Sequence, residues 1–427
     1  MNLLLAFLAF NVIVIVHELG HFIAAKKFGI KVLEFSLFIG PKLFSITRGE
    51  TQYTLRLFPI MAFVKMEGEE EASTSERAFN NKPKYARALT AFGGPFANLL
   101  LAAILLTVVF SIQGYDTVNI NLVEADSPAE KAGIKVGDSI LSYDGNRTYL
   151  PIDVSQFLYV SKGAPAEVEY LSGDKKVKKT INPVKIPATD NYFIGVVFKS
   201  PDTNAISSVT PGSPAEKAGI RPDDRIVRLD GTDISGQNDF KARIQEKGQQ
   251  PVNLTISRGG AEVHTSVVPG VQKIPERYIL GIDFEVKNGG VLENLKQSAV
   301  FTYSIVRSVG YSLVWLATGK VGANELMGPI GMVSTIGEVV SQGPNFIAKL
   351  VYLLQMTALM SIAIGATNLI PFPMLDGNRI LLIGVEAIRR KPLKPEREAF
   401  ISMVGFVLII LLAVYAAFND IMRIIRG

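Results

Sequence analysis

His17, Glu18 and His21 stand within the run Val12-Ile13-Val14-Ile15-Val16-His17-Glu18-Leu19-Gly20-His21-Phe22, inside an apolar stretch that opens at Leu3 and closes at Lys26-Lys27. On a helix, residues four apart sit one above the other on one face, which suits two imidazoles sharing one zinc ion. Glu18 points to a neighbouring face, where a carboxylate can act as general base without being a ligand. The plainer alternative is a pair of core histidines beside a satisfied carboxylate. It is weak here, because ionisable groups inside an apolar span are costly and demand a partner, and two of the chain's 3 histidines are spent on this one turn. Asp376 is the natural third ligand, since two histidines and a carboxylate leave one position open for water. It lies in Asn368-Leu369-Ile370-Pro371-Phe372-Pro373-Met374-Leu375-Asp376-Gly377, where two prolines break a helix and bare its backbone. Read alone, an aspartate before a glycine is a turn residue.

The elements that must position these groups follow from composition. The 427 residues are 48% hydrophobic and 19% charged, with a mean hydropathy of +0.27. That balance is too apolar for a purely soluble chain and too polar for a bundle made only of membrane helices. The net charge of +5 comes without a basic arm or an aromatic-interleaved basic patch, so nucleic acid is not an expected partner. With 0 cysteines, disulfides and thiolate metal sites are excluded. The N-terminal run lacks a basic leader and a small-residue cleavage site and is expected to be retained.

Four spans are expected, at about 3–25, 89–112, 346–369 and 400–418. Lys26, Lys27 and Lys31 place the end of the first span, and with it the His-Glu-His turn, near the cytoplasmic side. The cluster Arg379, Arg389, Arg390, Lys391, Lys394 and Arg397 puts the region after Asp376 on the same side. Residues 49–66 read as a β-hairpin broken near Pro59 and dipping toward the membrane. It is either an edge that pairs with an extended substrate or a structural loop. The second span opens with Phe92-Gly93-Gly94-Pro95-Phe96-Ala97-Asn98, whose glycines permit close helix approach. Asn98 reads there as interhelical glue rather than as a catalytic group. Val291 to Gly319 is apolar but carries Arg307, and a fifth span would leave Asp376 across the membrane from His21. It is therefore expected to be an interfacial amphipathic helix.

Between the spans the sequence repeats. Ser127-Pro128-Ala129-Glu130-Lys131-Ala132-Gly133-Ile134 returns as Ser213-Pro214-Ala215-Glu216-Lys217-Ala218-Gly219-Ile220. Tyr192-Phe193-Ile194-Gly195 returns as Tyr278-Ile279-Leu280-Gly281 at the same offset of 86 residues. Each copy carries a short helix with serine as N-cap, proline first and glycine as terminator. The unit resembles a PDZ domain of the bacterial, permuted kind. PDZ domains bind peptides by strand addition, and steric restriction of access is the equal alternative. His264, in the second copy, has no histidine partner and reads as an ordinary strand residue.

Taken together, these motifs resemble the site-2 protease family of intramembrane zinc metalloproteases, in its bacterial branch with two tandem PDZ domains. The matching residues are His17-Glu18-Leu19-Gly20-His21, Phe92-Gly93-Gly94-Pro95 with Asn98, the two Ser-Pro-Ala-Glu-Lys-Ala-Gly-Ile copies, Gly328-Pro329-Ile330, and Asn368 through Gly377. The resemblance implies zinc on His17, His21 and Asp376, with Glu18 as the catalytic base. It assigns substrate binding to Asn368, with Pro371 and Pro373 in the same element, and to the hairpin. The implied substrate is a single-span membrane protein already trimmed on its outer side, such as an anti-sigma factor or a signal-peptide remnant.

Two positions depart from the family pattern: Met61-Ala62-Phe63 stands where Gly-Gly-Tyr is usual, and Gly377-Asn378-Arg379 where Gly-Gly-His is usual. The expected fold is a polytopic α-helical membrane protein with a membrane-associated β-hairpin and two inserted PDZ-like α+β domains. Its parts are 1–113, 114–200, 201–288, a connector at 289–345, and 346–427. The expected location is the bacterial inner membrane, with the lipid bilayer around the spans and the PDZ pair outside, open to peptide or protein. One rival is a membrane-anchored PDZ scaffold with a structural or inactive metal site, although a structural site needs no Glu18. A metal transporter is the other, disfavoured by the large outer domains and the lack of inverted hydrophobic repeats.

Overall fold

The computed structural model describes residues 2–69, 71, 73–210, 212–322, 335, 339–340, 343, 345–391 and 395–426. Gly328-Pro329-Ile330 lies outside the described residues. Among them, five helices are long and apolar enough to cross a membrane: Leu4–Lys27, Lys84–Gln113, Val291–Ala317, Phe346–Asn368 and Met403–Met422.

Helix α1 (Asn2–Lys27) packs against α2 (Lys84–Gln113) at a glycine pair: a Cβ on Gly20 would stand 2.2 Å from the Gly93 carbonyl oxygen. Only glycine lets two backbones meet so closely. Helix α2 in turn packs Ala102, Leu106, Val109 and Phe110 against Val351, Ala358 and Ile362 of a later helix, Phe346–Asn368.

Between α1 and α2 runs a β-hairpin longer than the sequence reading allowed. Strand β1 spans Val32–Arg48 and β2 spans Thr51–Met66. The expected hairpin at 49–66 is thus one strand of the pair, and its partner begins at Val32. Gly40-Pro41 and Pro59 lie inside these strands, where the chain folds back on itself. Ser36 therefore faces both Phe63 and Thr54, and Leu37 faces both Ala62 and Leu55, so the first part of β1 lies between two halves of a folded-back β2. The distal part exposes Leu43, Phe44, Ile46, Leu57, Phe58 and Ile60.

The repeats form two lobes with separate cores. Each motif helix, α3 (Pro128–Lys131) and α5 (Pro214–Lys217), is capped by its serine, whose Oγ accepts from the amide three residues on. The boundary expected at 200/201 is not where the lobes divide. Gly281 packs on Ser127, and Leu280 lies in the first core. Gly195 packs on Ser213, and Ile194 lies in the second core. The first lobe is therefore completed by Tyr278–Phe284, not by Tyr192–Phe198, and the second lobe is inserted within it. The chain leaves and returns along a two-stranded ribbon, with Val184–Ile186 paired to Arg277–Ile279 and Thr189–Phe193 to Gly270–Ile274. Because the two copies carry the same signature at the same spacing, sequence offset alone cannot say which core each strand completes. Helices α4 (Pro151–Ser161) and α6 (Gln237–Lys247) belong to the first and second lobe respectively. His264 pairs on its strand with Thr255, Oγ1 to Nδ1 at 3.2 Å.

Helix α7 (Val291–Ala317) turns a polar stripe, Asn294, Ser298, Thr302 and Ser304, inward and leaves apolar residues such as Leu292, Leu295 and Val314 exposed. Its first half touches the end of α2, with Asn294 donating to Ser111 and Ser298 sharing a hydrogen bond with Thr107 at 3.0 Å. Its second half lies on the first lobe. There Arg307 meets the fully buried Asp153 at 2.9 Å, Ser304 donates to the same carboxylate, and Tyr311 and Trp315 stack beside Phe157. Helices α8 (Phe346–Asn368), α9 (Asp376–Arg389) and α10 (Pro395–Arg426) complete the described fold.

Candidate metal centre

The turn of α1 that carries His17 and His21 faces α2 and the start of α9. His17 Nε2 lies 3.1 Å from Asp376 Oδ2, His21 Nε2 lies 3.4 Å from the same oxygen, and the two Nε2 atoms are 3.2 Å apart. Among the described residues these three form the one group of histidine and acidic side chains close enough to share a metal ion. The spacing tests the fit to zinc. Tetrahedral ligands at 2.0–2.2 Å from an ion stand about 3.3–3.6 Å from one another, and all three edges fall within a few tenths of an ångström of that range.

The second nitrogen of each ring is also provided for. His21 Nδ1 lies 2.9 Å from the Thr90 carbonyl oxygen, which can only accept. The ring therefore carries its proton on Nδ1 and keeps the Nε2 lone pair for a metal. His17 Nδ1 lies 3.2 Å from the Asn98 carboxamide, whose Oδ1 is buried without a partner among the described residues. The two ends of a carboxamide are nearly isosteric. With Oδ1 turned to the ring, His17 Nδ1–H donates to it, the orphaned acceptor is satisfied, and Nε2 is free to ligate. Asn98 is itself wholly buried, and its backbone carbonyl accepts from Ser361 at 2.8 Å. Gly94 makes room for the site, for a Cβ there would lie 2.3 Å from His21 Nε2. Thus α2 supports both histidines through Thr90, Gly94 and Asn98. Its bonds to α1 and α8 make Asn98 the interhelical link that its sequence context suggests, here made to a ring of the candidate site. A buried carboxamide needs a polar partner, but nothing in the sequence shows that Asn98 and His17 meet.

Glu18 looks into a cavity of about 730 Å³ shared with His17, His21, Asp376, Asn368 and the strand Met61–Met66. The Val64 backbone amide donates to Glu18 Oε2 at 3.1 Å. Val64 had no sequence signal, because the contact is made by backbone. Of the residues expected to bind substrate, Asn368 lines the cavity, whereas Pro371 and Pro373 do not. Pro371 is exposed, and Pro373 packs against Gly405 of α10. Their effect is on the chain path: α8 ends at Asn368 and α9 begins at Asp376, which turns the carboxylate back toward α1.

Charged pairs also line the cavity. Arg56 bridges Glu34 at 2.8 Å, and Arg379 pairs with Glu69. Met61, at one of the two departures from the family pattern, lines the cavity with φ of 67°, a left-handed conformation that favours glycine.

Comparison with known proteins gives a consistent picture. The profile described as Peptidase family M50 matches residues 5–412. The zinc metalloprotease RasP of Oceanobacillus iheyensis is 31% identical over 98% of this chain and 98% of its own length. The regulator of sigma-W protease RasP of Bacillus subtilis is 26% identical over 99% of both chains, and the protease RseP of Yersinia pestis is 29% identical over 97% of both. Among solved structures, the HtrA3 PDZ domain bound to a phage-derived ligand is 22% identical, with a TM-score of 0.18, covering 20% of this chain and 91% of that one.

Proposed function

Because the chain belongs to peptidase family M50, the site-2 type of membrane-embedded zinc metalloprotease, we propose that His17, His21 and Asp376 hold the zinc ion and that Glu18 is the base in hydrolysis of a peptide bond within or near the membrane. The observation that carries this reading is the near-equilateral triangle of Nε2, Nε2 and Oδ2 atoms with Glu18 in the same cavity. Zinc, when bound, supplies a Lewis acid for the scissile carbonyl and brings the pKa of water toward about 7. Glu18 takes the proton of the attacking water and delivers it to the leaving amine. Thr90 and Asn98 fix the imidazole tautomers. Asn368 offers a carboxamide to substrate backbone that has left its helix, and the strand Met61–Met66 offers an edge. Pro371 and Pro373 serve by shaping the bend that presents Asn368 and Asp376.

The substrate proposed is a single-span membrane protein already trimmed on its outer side. An anti-sigma factor is one such chain, in keeping with the name of the Bacillus subtilis relative, regulator of sigma-W protease. Basic residues gather at the site's end of the bundle, where Lys84 and Arg87 meet Glu386 just before Arg389 and Arg390. That supports a site near the cytoplasmic face of the inner membrane and lobes outside it. Helix α7 fits an outer, interfacial position rather than a span, since its second half lies on the first lobe. The two lobes are proposed as PDZ-like modules that bind peptide or exclude untrimmed chains, and the exposed apolar hairpin as a lipid contact.

The test is cleavage by the full chain, reconstituted in vesicles, of a tagged single-span substrate in trimmed and untrimmed forms. The expected result is a trimmed-chain product that disappears with chelator and returns with zinc. Zinc-loaded protein that cuts neither form of several such substrates would overturn the reading.

A further inference from the structure

Strand donors point alternately to the two edges of a strand, so the amides of residues 62, 64 and 66 share the edge of β2 that faces away from β1. An unpaired edge of this kind is a template for another chain. Here two of its three donors are already taken by carboxylates. Val64 N–H donates to Glu18 Oε2 at 3.1 Å, and Met66 N–H donates to Glu69 Oε2 at 3.2 Å. Glu69 is tied by Arg379 to the first turn of α9, three residues after Asp376. The catalytic base and a second acid thus occupy the places that the carbonyls of an added strand would fill.

We infer that the edge Ala62–Met66 is held closed by Glu18 and Glu69 in the substrate-free protein, and that an extended substrate opens it by exchanging its own carbonyls for these carboxylates. This rests on the protease reading above. A substrate carbonyl that accepts from Val64 N–H releases Glu18 from its backbone tether, so the base becomes free at the moment the peptide is aligned beside it. The exchange leaves the count of hydrogen bonds at Val64 unchanged, which keeps its net cost small. A chain that stays helical cannot make it, because its carbonyls are already bonded within the helix. The same edge therefore selects for unwound peptide and couples that selection to the base. Met61, whose left-handed backbone bends β2 just before this edge, sets where the pairing begins. Val64 and Glu69 are positioning groups in this scheme: they act on the reaction through Glu18 and through the register of the substrate.

The experiment is amide hydrogen exchange on the full chain in micelles, read on peptides covering 62–67, alongside steady-state cleavage of the trimmed single-span substrate. In the substrate-free wild type the Val64 and Met66 amides are expected to exchange slowly. Glu18→Ala should speed Val64 at least tenfold and leave Met66 slow, and Glu69→Ala should do the reverse. Adding the trimmed substrate to Glu18→Ala, which does not turn it over, should slow Val64 again. In kinetics, the conservative Glu69→Gln should lower KM three- to tenfold with kcat unchanged, because it weakens a competitor for the edge while leaving the base in place.

The inference is overturned if Val64 exchanges equally fast in wild type and Glu18→Ala, or if substrate fails to slow it in Glu18→Ala while wild type still cleaves. Failure of the protease reading looks different: no cleavage by wild type, with the exchange pattern of the substrate-free protein intact.

Discussion

Gly94→Ala is the sharpest single test of how α2 supports the site. The added methyl would lie 2.3 Å from His21 Nε2 and 2.7 Å from Cδ2 and Cε1. Unstrained contacts between such atoms need about 3.5 Å, so the ring must retreat by roughly 1 Å, away from α2. It cannot do so freely, because His21 Nδ1 is held by the Thr90 carbonyl at 2.9 Å. Either that hydrogen bond is lost or Nε2 leaves its triangle with His17 and Asp376, whose edges at His21 are 3.2 and 3.4 Å. A displacement of this size at a reacting centre costs about 100-fold in turnover, and loss of the ring's supporting bond costs about 10- to 100-fold in metal affinity. The assay is zinc binding against a buffered competitor, with cleavage measured on the same preparation. Gly384→Ala in α9 is the control, since nothing among the described residues lies within 4 Å of its Cβ. It should leave both readouts unchanged and add up to about 1 kcal/mol of helix stability. Wild-type zinc affinity and turnover in Gly94→Ala would refute the packing argument.

Three further outcomes follow from contacts elsewhere. Asn98→Leu removes the carboxamide beside His17 while keeping its volume. Zinc affinity should fall about 10- to 100-fold with helical content unchanged, measured by competition and far-ultraviolet circular dichroism. Asp153→Ala leaves Arg307 in α7 without its buried partner, and removing one member of such a pair costs about 3–5 kcal/mol. The first lobe should come away from α7, read as faster proteolysis at 147–160 in the full chain. In the second lobe Arg258 holds the Asp224 carboxyl below its usual range. A depressed carboxylate stabilises the fold above its unfolded pKa of about 3.9 and loses that contribution as pH falls through the lower folded value. Amide exchange of 252–258 should therefore quicken below about pH 4, and Asp224→Asn should show the quickened exchange already at neutral pH.

Local chemistry was legible in the sequence where spacing alone sets geometry. His17 and His21 are one turn apart on any helix, and the serine, proline and glycine of each repeat cap a helix wherever it is placed. Asp376 could be paired with them because proline breaks a helix and basic residues fix its side. What the sequence could not supply was long-range pairing. The two repeats carry one signature, so the completion of the first lobe by Tyr278–Phe284 depends on the ribbon that brings the chain back. The partner of β2 was hidden because Val32–Arg48 mixes charged and apolar residues without a strand period. The partner of Asn98 and the part played by Val64 are hidden for different reasons: a buried carboxamide has several conceivable partners, and Val64 acts through its backbone. Arg307 was noticed, and its partner Asp153 lies on a separate lobe more than a hundred residues away.

One zinc ion held by α1 and α9, with Glu18 beside it, is the proposed centre of catalysis. The most direct measurement is zinc content and cleavage on the same preparations of wild type, Glu18→Gln and Asp376→Ala. Glu18→Gln is expected to keep its zinc and lose cleavage, and Asp376→Ala to lose both. Cleavage at the wild-type rate by Glu18→Gln, or a full complement of tightly bound zinc in Asp376→Ala, would contradict it.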